Sequence, residues 1–259
     1  MKGLLLPTAP CRHSECVELY FAEELGCAPE LLAVPGVHVV TSDNRERPVW
    51  CDFRVPFLAL SRGGATVLSV SDEFAPGLTA VFGTISAGEA LRRRGGPQPE
   101  LFAAVRELVK GKYPVANHLL GRALYCTQDR FLPTSSTAVD MLLPEHREWE
   151  EFNEHFDGPV FVVRSGNGEV AAWAAIKLKS DYVWEIAVTT VERYRRRGLA
   201  QRVVSAATSH ILEAGRTPLY VHEEENLASG RTARSLGYRS FGKVAFTSLV
   251  DPARPTSIW

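Results

Sequence analysis

The second half of the chain alternates between two hydrophobic periods in an order that few folds accept. "AVDMLL" at 138–143 reads as a short strand, and "PEHREWEEFNEHF" as a helix with proline in its first turn. "PVFVVRSGNGEVAAWAAIKLKSDYVWEIAVTTV" holds three strands, the first two joined at the "GNG" turn. "RGLAQRVVSAATSHILEAG" puts apolar residues at 199, 203, 204, 207 and 211, a helical stripe that Gly215 ends. "TPLYVH" is a strand, "LASGRTARSL" a short helix ending at Gly237, and "YRSFGKVAFTSLV" a last strand. The order β-α-β-β-β-α-β-α-β predicts a mixed α/β sheet flanked by helices.

The first half is less regular. "SECVELYFAEEL" at 14–25 reads as an amphipathic helix with a serine cap and Gly26 as stop, and strands are expected at 36–42, 55–61 and 66–71. "ISAGEALRRR" and "QPELFAAVRELVKGK" read as helices separated by "GGPQ", and "PVANHLLGRALYCT" as a further helix. The polar, proline-containing stretch "DRFLPTSST" at 129–137 makes the best boundary. It divides a smaller α/β domain, residues 1–130, from a second domain, residues 131–259.

Composition narrows the function. Of 259 residues 45 % are hydrophobic and 23 % charged, with a formal net charge of −1. That balance suits a globular chain that buries a core and argues against a general nucleic-acid binder. No stretch reaches the ~18 apolar residues of a membrane span, and Pro7 interrupts the short apolar start "MKGLLLPTAP". A cytoplasmic protein is expected. The five cysteines (Cys11, Cys16, Cys27, Cys51, Cys126) are odd in number and read as reduced thiols. "CRHSEC" is not followed by zinc-like spacing, so no metal site is expected.

"ERYRRRGLA", residues 192–200, sets Arg193, Arg195, Arg196 and Arg197 before Gly198 at the start of a predicted helix. Positive charge is unfavourable beside the positive end of a helix dipole unless an anion sits there. Arg195 to Ala200 fit (Arg/Gln)-x-x-Gly-x-(Gly/Ala) at a strand-to-helix junction. Free amides at a helix start converge on one spot, a glycine lets a phosphate approach, and guanidinium groups add charge-assisted bonds.

Together with "NLASGRTARSLGYRSFG" one strand downstream, "EIAVTTVERYRRRGLA" resembles the GNAT N-acetyltransferase superfamily over about residues 137–248. The resemblance implies a splayed sheet and acetyl-CoA as co-substrate. The pyrophosphate would sit on the amides of 196–201, which makes Arg195, Arg196, Arg197, Gly198, Leu199, Ala200 and Gln201 cofactor-binding candidates. The pantetheine arm would pair with Val188, Thr189 and Thr190, whose strand would splay from 218–222. Asn226 would cap the next helix and reach the cofactor or a water, and Ser229 would touch the pantetheine or the thiol region. The implied reaction is acetyl transfer to an amine, a small molecule, in a ternary complex. The alternative is a non-catalytic acyl-CoA-binding sensor or scaffold.

The catalytic candidates are Glu185 and His222. Glu185 lies on the strand where relatives carry a glutamate, one residue out of register unless a β-bulge restores the count. His222 ends the neighbouring strand and could titrate near neutrality. An amide near Val188 could stabilise the oxyanion. "EEE" at 223–225 reads either as a solvated turn or as an attractor of a cationic amine. Where relatives carry a tyrosine in the second motif's helix, this chain has Ala233, with Ser235 two residues on and Tyr238 after Gly237. The acid is then a water, Ser235 or a residue from elsewhere. No cysteine follows Cys126, which argues against a covalent relay. The N-terminal segment carries no such motif: "VLSVSDEF" leads a strand into a helix start without the glycine signature. It is either a degenerate copy of the same fold or a separate α/β cap lining the acceptor pocket.

Overall fold

The computed structural model describes residues 13–46, 48–49, 53–82, 90–91, 100–109, 115–135, 138–152 and 156–249. Its helices are α1 (His13–Leu25), α2 (Ala75–Phe82), α3 (Glu100–Val109), α4 (Leu199–Glu213) and α5 (Leu227–Ser235). The strands of the first half are β1 (Gly36–Thr41), β2 (Pro48–Val49), β3 (Phe53–Arg62), β4 (Ala65–Val70) and β5 (Val115–Tyr125). Those of the second are β6 (Asp140–Leu142), β7 (Val160–Arg164), β8 (Val170–Leu178), β9 (Val183–Thr190), β10 (Thr217–Glu223) and β11 (Arg239–Leu249). They form one mixed sheet in the order β1-β4-β3-β11-β5-β10-β9-β8-β7-β6, with β2 on the side of β3.

The mixed α/β sheet and most elements follow the alternation read from the sequence. Two expectations fail. Residues 115–125 are a strand, not a helix. Leu119, Leu120, Ala123 and Leu124 satisfy either period, and short apolar runs of this kind are decided by pairing partners. Here β5 lies between β10 and β11, antiparallel to both. Gly121 permits the approach, since a Cβ there would lie 2.5 Å from the His222 carbonyl oxygen. Of the helix expected at 144–156 the described residues form a 3-10 turn, Arg147–Glu151, and residues 153–155 lie outside the described residues. Trp149 Nε1 donates to the Gly158 carbonyl at 3.0 Å, and Phe152 and Phe156 meet Trp173 edge-on. The helix expected at 85–94 lies, apart from residues 90 and 91, outside the described residues.

Helices cover both faces. Against one face α2 and α3 bury Leu78, Leu101, Phe102 and Val105 on β3 and β4. On the same face α4 buries Val203, Val204, Ala207 and Ile211 on Ile176, Ile186 and Tyr220. Against the other face α1 buries Val17, Phe21 and Leu25 on Leu60, Ala123, Leu219 and Phe241. Cys27 and Cys126 are free thiols, but Cys16 is disulfide-bonded, so the reading of all the cysteines as thiols fails there. Among the described residues no helix is long and apolar enough to cross a membrane, and no three His, Cys, Asp or Glu gather at a metal-binding distance.

Because β5 lies between β10 and β11 and β3 lies beyond β11, a fragment of residues 131–259 would leave β10 with an open edge and β11 without either of its partner strands. The expected outcome is loss of the cooperative thermal transition of the full chain, read by circular dichroism, with recovery when residues 1–130 are co-expressed.

Candidate active site

The centre of the second half is a fork between two strands. β9 and β10 run parallel but pair only at Thr217–Val183, Pro218–Trp184 and Leu219–Glu185. Beyond Glu185 they part. The Val191 amide bonds the Ala171 carbonyl, which fixes the parity of β9: odd residues bond to β8, and even ones face the other way. The backbone groups of Ile186, Val188 and Thr190 therefore face the fork, and those of Thr189 turn to β8. Across the gap the Cys126 amide bonds the Pro218 carbonyl, so even residues of β10 bond to β5 and Val221 faces β9.

The mouth of the fork leads into α4. A short 3-10 turn, Glu192–Tyr194, connects β9 to the arginine run, and Gly198 caps the helix at φ +73° without a side-chain hydrogen bond. The first helical bond runs from the Arg202 amide to the Gly198 carbonyl, leaving the amides of Leu199, Ala200 and Gln201 at an uncapped end. No atom lies within 4 Å of where a Gly198 Cβ would sit, so the positive φ, not crowding by protein atoms, requires glycine here. Arg196 is also left-handed, at φ +62°.

The arginines have different partners. Arg193 pairs with Glu169 on the β7–β8 turn, and Arg193 and Arg197 both lie over the Tyr194 ring. Arg195 Nε donates to the Thr190 carbonyl at 3.3 Å. Arg195, Arg196 and Arg197 are exposed around the helix start. Within the fork mouth the Thr190 hydroxyl is buried and has no partner.

On α5, Asn226 Oδ1 accepts from the Ser229 amide at 3.0 Å, a helix cap. Ser229 Oγ meets the Tyr220 hydroxyl at 2.8 Å, and burial pushes the Tyr220 phenol up to about 12. Ala233 is fully buried. Tyr238 bonds Thr208 at 2.8 Å deep in the core, as an aromatic in that position packs.

The two catalytic candidates are not brought together. Glu185 points to the face that carries α1, and β9 pairs with β8 without a bulge, so no register repair occurs. Its oxygens lie 3.5 Å from Lys177 Nζ and 3.6 Å from Lys179 Nζ. Burial alone would raise the carboxyl, but the two ammonium charges outweigh it and hold Glu185 below its ordinary value. His222 faces α5 on the other side of the sheet and is buried. Its Nδ1 donates to the Glu223 carbonyl at 2.7 Å, and its Nε2 has no partner beneath Gly230. Burial, aided by Arg234 and Arg122, lowers its basicity and keeps it neutral at pH 7. Glu224 is taken up by Arg122 and Lys243, each at 2.9 Å, which removes it from the acidic run as an attractor of cations.

Residues 132–244 match the family described as GNAT acetyltransferase. They are a GNAT segment. β5, which lies between β10 and β11, comes from outside the matched residues. Among solved structures, a GNAT-family protein of Novosphingobium aromaticivorans is similar at 18 % identity over 60 % of this chain and 82 % of its own, with a TM-score of 0.45. A GCN5-related N-acetyltransferase of Kribbella flavida is similar at 20 % identity over 60 % and 64 %, TM-score 0.42. A protein of Salmonella typhimurium solved with acetyl-CoA is similar at 22 % identity over 43 % and 76 %, TM-score 0.32. No curated protein matches the sequence at a significant level.

Lys177, Lys179 and Tyr220 were not singled out by sequence reasoning. A lysine across a strand pair from Glu185 becomes visible only when the β8–β9 register is known. Replacing Glu185 by Gln leaves the two lysines facing each other and should cost roughly 1–3 kcal/mol at pH 7, less than a fully dry pair because the site is partly open. A carboxyl with a depressed folded pKa stabilises above its unfolded value and loses that contribution as pH falls through the folded one. Urea unfolding of both proteins should therefore show the gap at pH 7 and its narrowing as the pH is taken down through the depressed carboxyl value.

Proposed function

We propose that the chain is an acetyl-CoA-dependent N-acetyltransferase that acetylates a small amine in a ternary complex. The observation that carries this reading is the fork: unpaired backbone of Val188 and Val221 leads straight to an uncapped helix end ringed by arginines. The residues present fit a long ligand that is amide-rich in its middle and anionic at one end. The space beside Gly198 is open, and the unpartnered Thr190 hydroxyl sits where the two regions meet.

In this reading the amides of Leu199, Ala200 and Gln201 hold the pyrophosphate, with Arg195, Arg196 and Arg197 around it. Arg193 acts differently, since its bond to Glu169 fastens the arginine loop to the β7–β8 turn. Val188, whose amide faces the fork, pairs with the pantetheine and steadies negative charge on the carbonyl oxygen. Asn226 shapes the start of α5, and Ser229 stands on the rim with Tyr220 behind it. Acetyl-CoA supplies an acetyl group activated as a thioester, whose carbon–sulfur bond is exchanged for a nitrogen–carbon bond while the ammonium nitrogen loses one proton to sulfur and one to water. Glu185, ionised at neutral pH, attracts and orients the ammonium group. Binding without turnover remains a second reading, favoured by the lysines that already hold Glu185. Thiol release with an amine acceptor separates the two.

Saturating acetyl-CoA should raise the melting temperature, as any ligand of the folded state does. Gly198→Val puts a β-branched residue at a positive φ and fills the open space, and should weaken acetyl-CoA binding at least tenfold in calorimetry. An undiminished thermal shift in that variant overturns the reading.

A further inference from the structure

Breaking the carbon–sulfur bond of a thioester leaves an electron pair on sulfur, and a hydrogen-bond donor steadies the thiolate that forms. Most hydroxyl groups on the α4 and α5 side of the fork are already spent. On α5, Thr232 Oγ1 donates to the Ala228 carbonyl at 3.1 Å and Ser235 Oγ to the Thr232 carbonyl at 2.8 Å. Deeper in the core, Thr208 Oγ1 donates to the Val204 carbonyl at 2.7 Å and accepts from the Tyr238 hydroxyl. His222 holds its proton on Nδ1, towards the Glu223 carbonyl, so its Nε2 has none to give. Ser229 differs. Among the described residues its hydroxyl has one partner, the Tyr220 hydroxyl at 2.8 Å.

Resting on the acetyl-transfer reading, we propose that the Ser229 hydroxyl donates a hydrogen bond to the departing thiolate, and that Tyr220, donating into Ser229, positions that hydrogen. The topology brings the pair to the right level. Val188 lies three residues and Val221 two residues beyond the last β9–β10 pair, so the two stand side by side across the gap. Tyr220 precedes Val221 on β10 and turns its ring to the face of α4, where α5 lays Ser229 over it. The thioester carbonyl placed against the Val188 amide therefore lies beside the strand from which Tyr220 rises. Ser229 is held in place through its own amide, which Asn226 Oδ1 caps at 3.0 Å, and through Ala233 one turn on, which is fully buried.

Burial sets the direction of the hydroxyl pair. Tyr220 is 1 % exposed, and a buried donor keeps its hydrogen on an acceptor, here Ser229 Oγ. Ser229 is only half-buried, so its own hydrogen is left for the fork, and the bond it accepts strengthens the one it gives. Neither hydroxyl gives up its proton. The Tyr220 phenol is pushed up to about 12 by burial, far above the ~8.5 of an ordinary thiol, so transfer to sulfur would run uphill. The carbon–sulfur electron pair stays on sulfur, the two nitrogen protons pass to water, and sulfur takes one proton back from water.

The test needs no acceptor, because CoA, the product, is the probe. Ionisation of its thiol on the protein is read from thiolate absorbance against pH, blanked with protein saturated with desulfo-CoA. The bound thiol should ionise at lower pH than free CoA. Ser229→Ala should raise the bound value by about one unit, a tenfold change in the ionisation constant. Tyr220→Phe should raise it by a smaller step, about threefold. The double variant should match Ser229→Ala alone, since Tyr220 acts only through Ser229, whereas a purely structural effect of Tyr220 would persist without the serine hydroxyl. The double variant also removes the phenol that Ser229→Ala leaves without an acceptor, so it carries the comparison should that single variant fold poorly. Arg122, Arg234 and Glu224, the charged groups around His222, stay in place in every protein compared. A bound thiol that ionises as free CoA does, a value unmoved by loss of the Ser229 hydroxyl, or a double variant shifted beyond Ser229→Ala overturns the proposal and leaves acetyl-CoA binding standing. CoA that does not bind overturns the acetyl-transfer reading and the proposal with it.

Discussion

The termination of the β9–β10 ladder after three residue pairs governs the rest of the site. Two parallel strands inside a sheet normally pair along their length, because buried amides and carbonyls without partners cost free energy. Here the strands part at Glu185, and every later feature stands in relation to that point. Val188 and Val221 turn backbone groups into the gap, α4 begins at its mouth, and the lysine–glutamate triad closes its inner end. A ligand with amides of its own can complete such a gap without competing with another strand.

The arginine-rich turn is tolerable for a related reason. Gly198 must be glycine because the chain enters α4 at φ +73°, and the same conformation leaves the helix end without a side-chain cap. Arg193 is neutralised by Glu169, and Arg197 shares the Tyr194 ring with it. The remaining positive charge faces solvent at the helix start, where only an anion offsets the dipole.

Much of the second half was legible because its periods are long and its breakers are placed where the elements end: Gly215 after α4 and Gly237 after α5. The loop motif was legible because a glycine and small residues at a helix start carry a local requirement. Position on a face was not. Glu185 and His222 lie on neighbouring strands of similar hydrophobicity, yet they occupy opposite faces, which depends on pairing parity and not on composition. The strand β5 was illegible for the same reason. Leu119, Leu120, Ala123 and Leu124 fit a helix as well as a strand, and only the vacancy between β10 and β11 decides.

That vacancy gives the first half a role in the site without any motif of its own. Even residues of β10 bond to β5, which commits the odd ones, Val221 among them, to the fork. β5 is in turn held by β11, and β11 by β3. The direction in which β10 leaves β9 is thus fixed by β5 and β3, which lie outside the GNAT segment, with β11 between them. α1, pinned through His13 Nδ1 to Thr217 Oγ1 at 2.9 Å, packs over the same junction from the face of Glu185. A change in the first half that shifts β5 or α1 would move the closed end of the fork, and with it the spacing between the fork and the start of α4. The half without a motif sets the geometry in which the motif half operates.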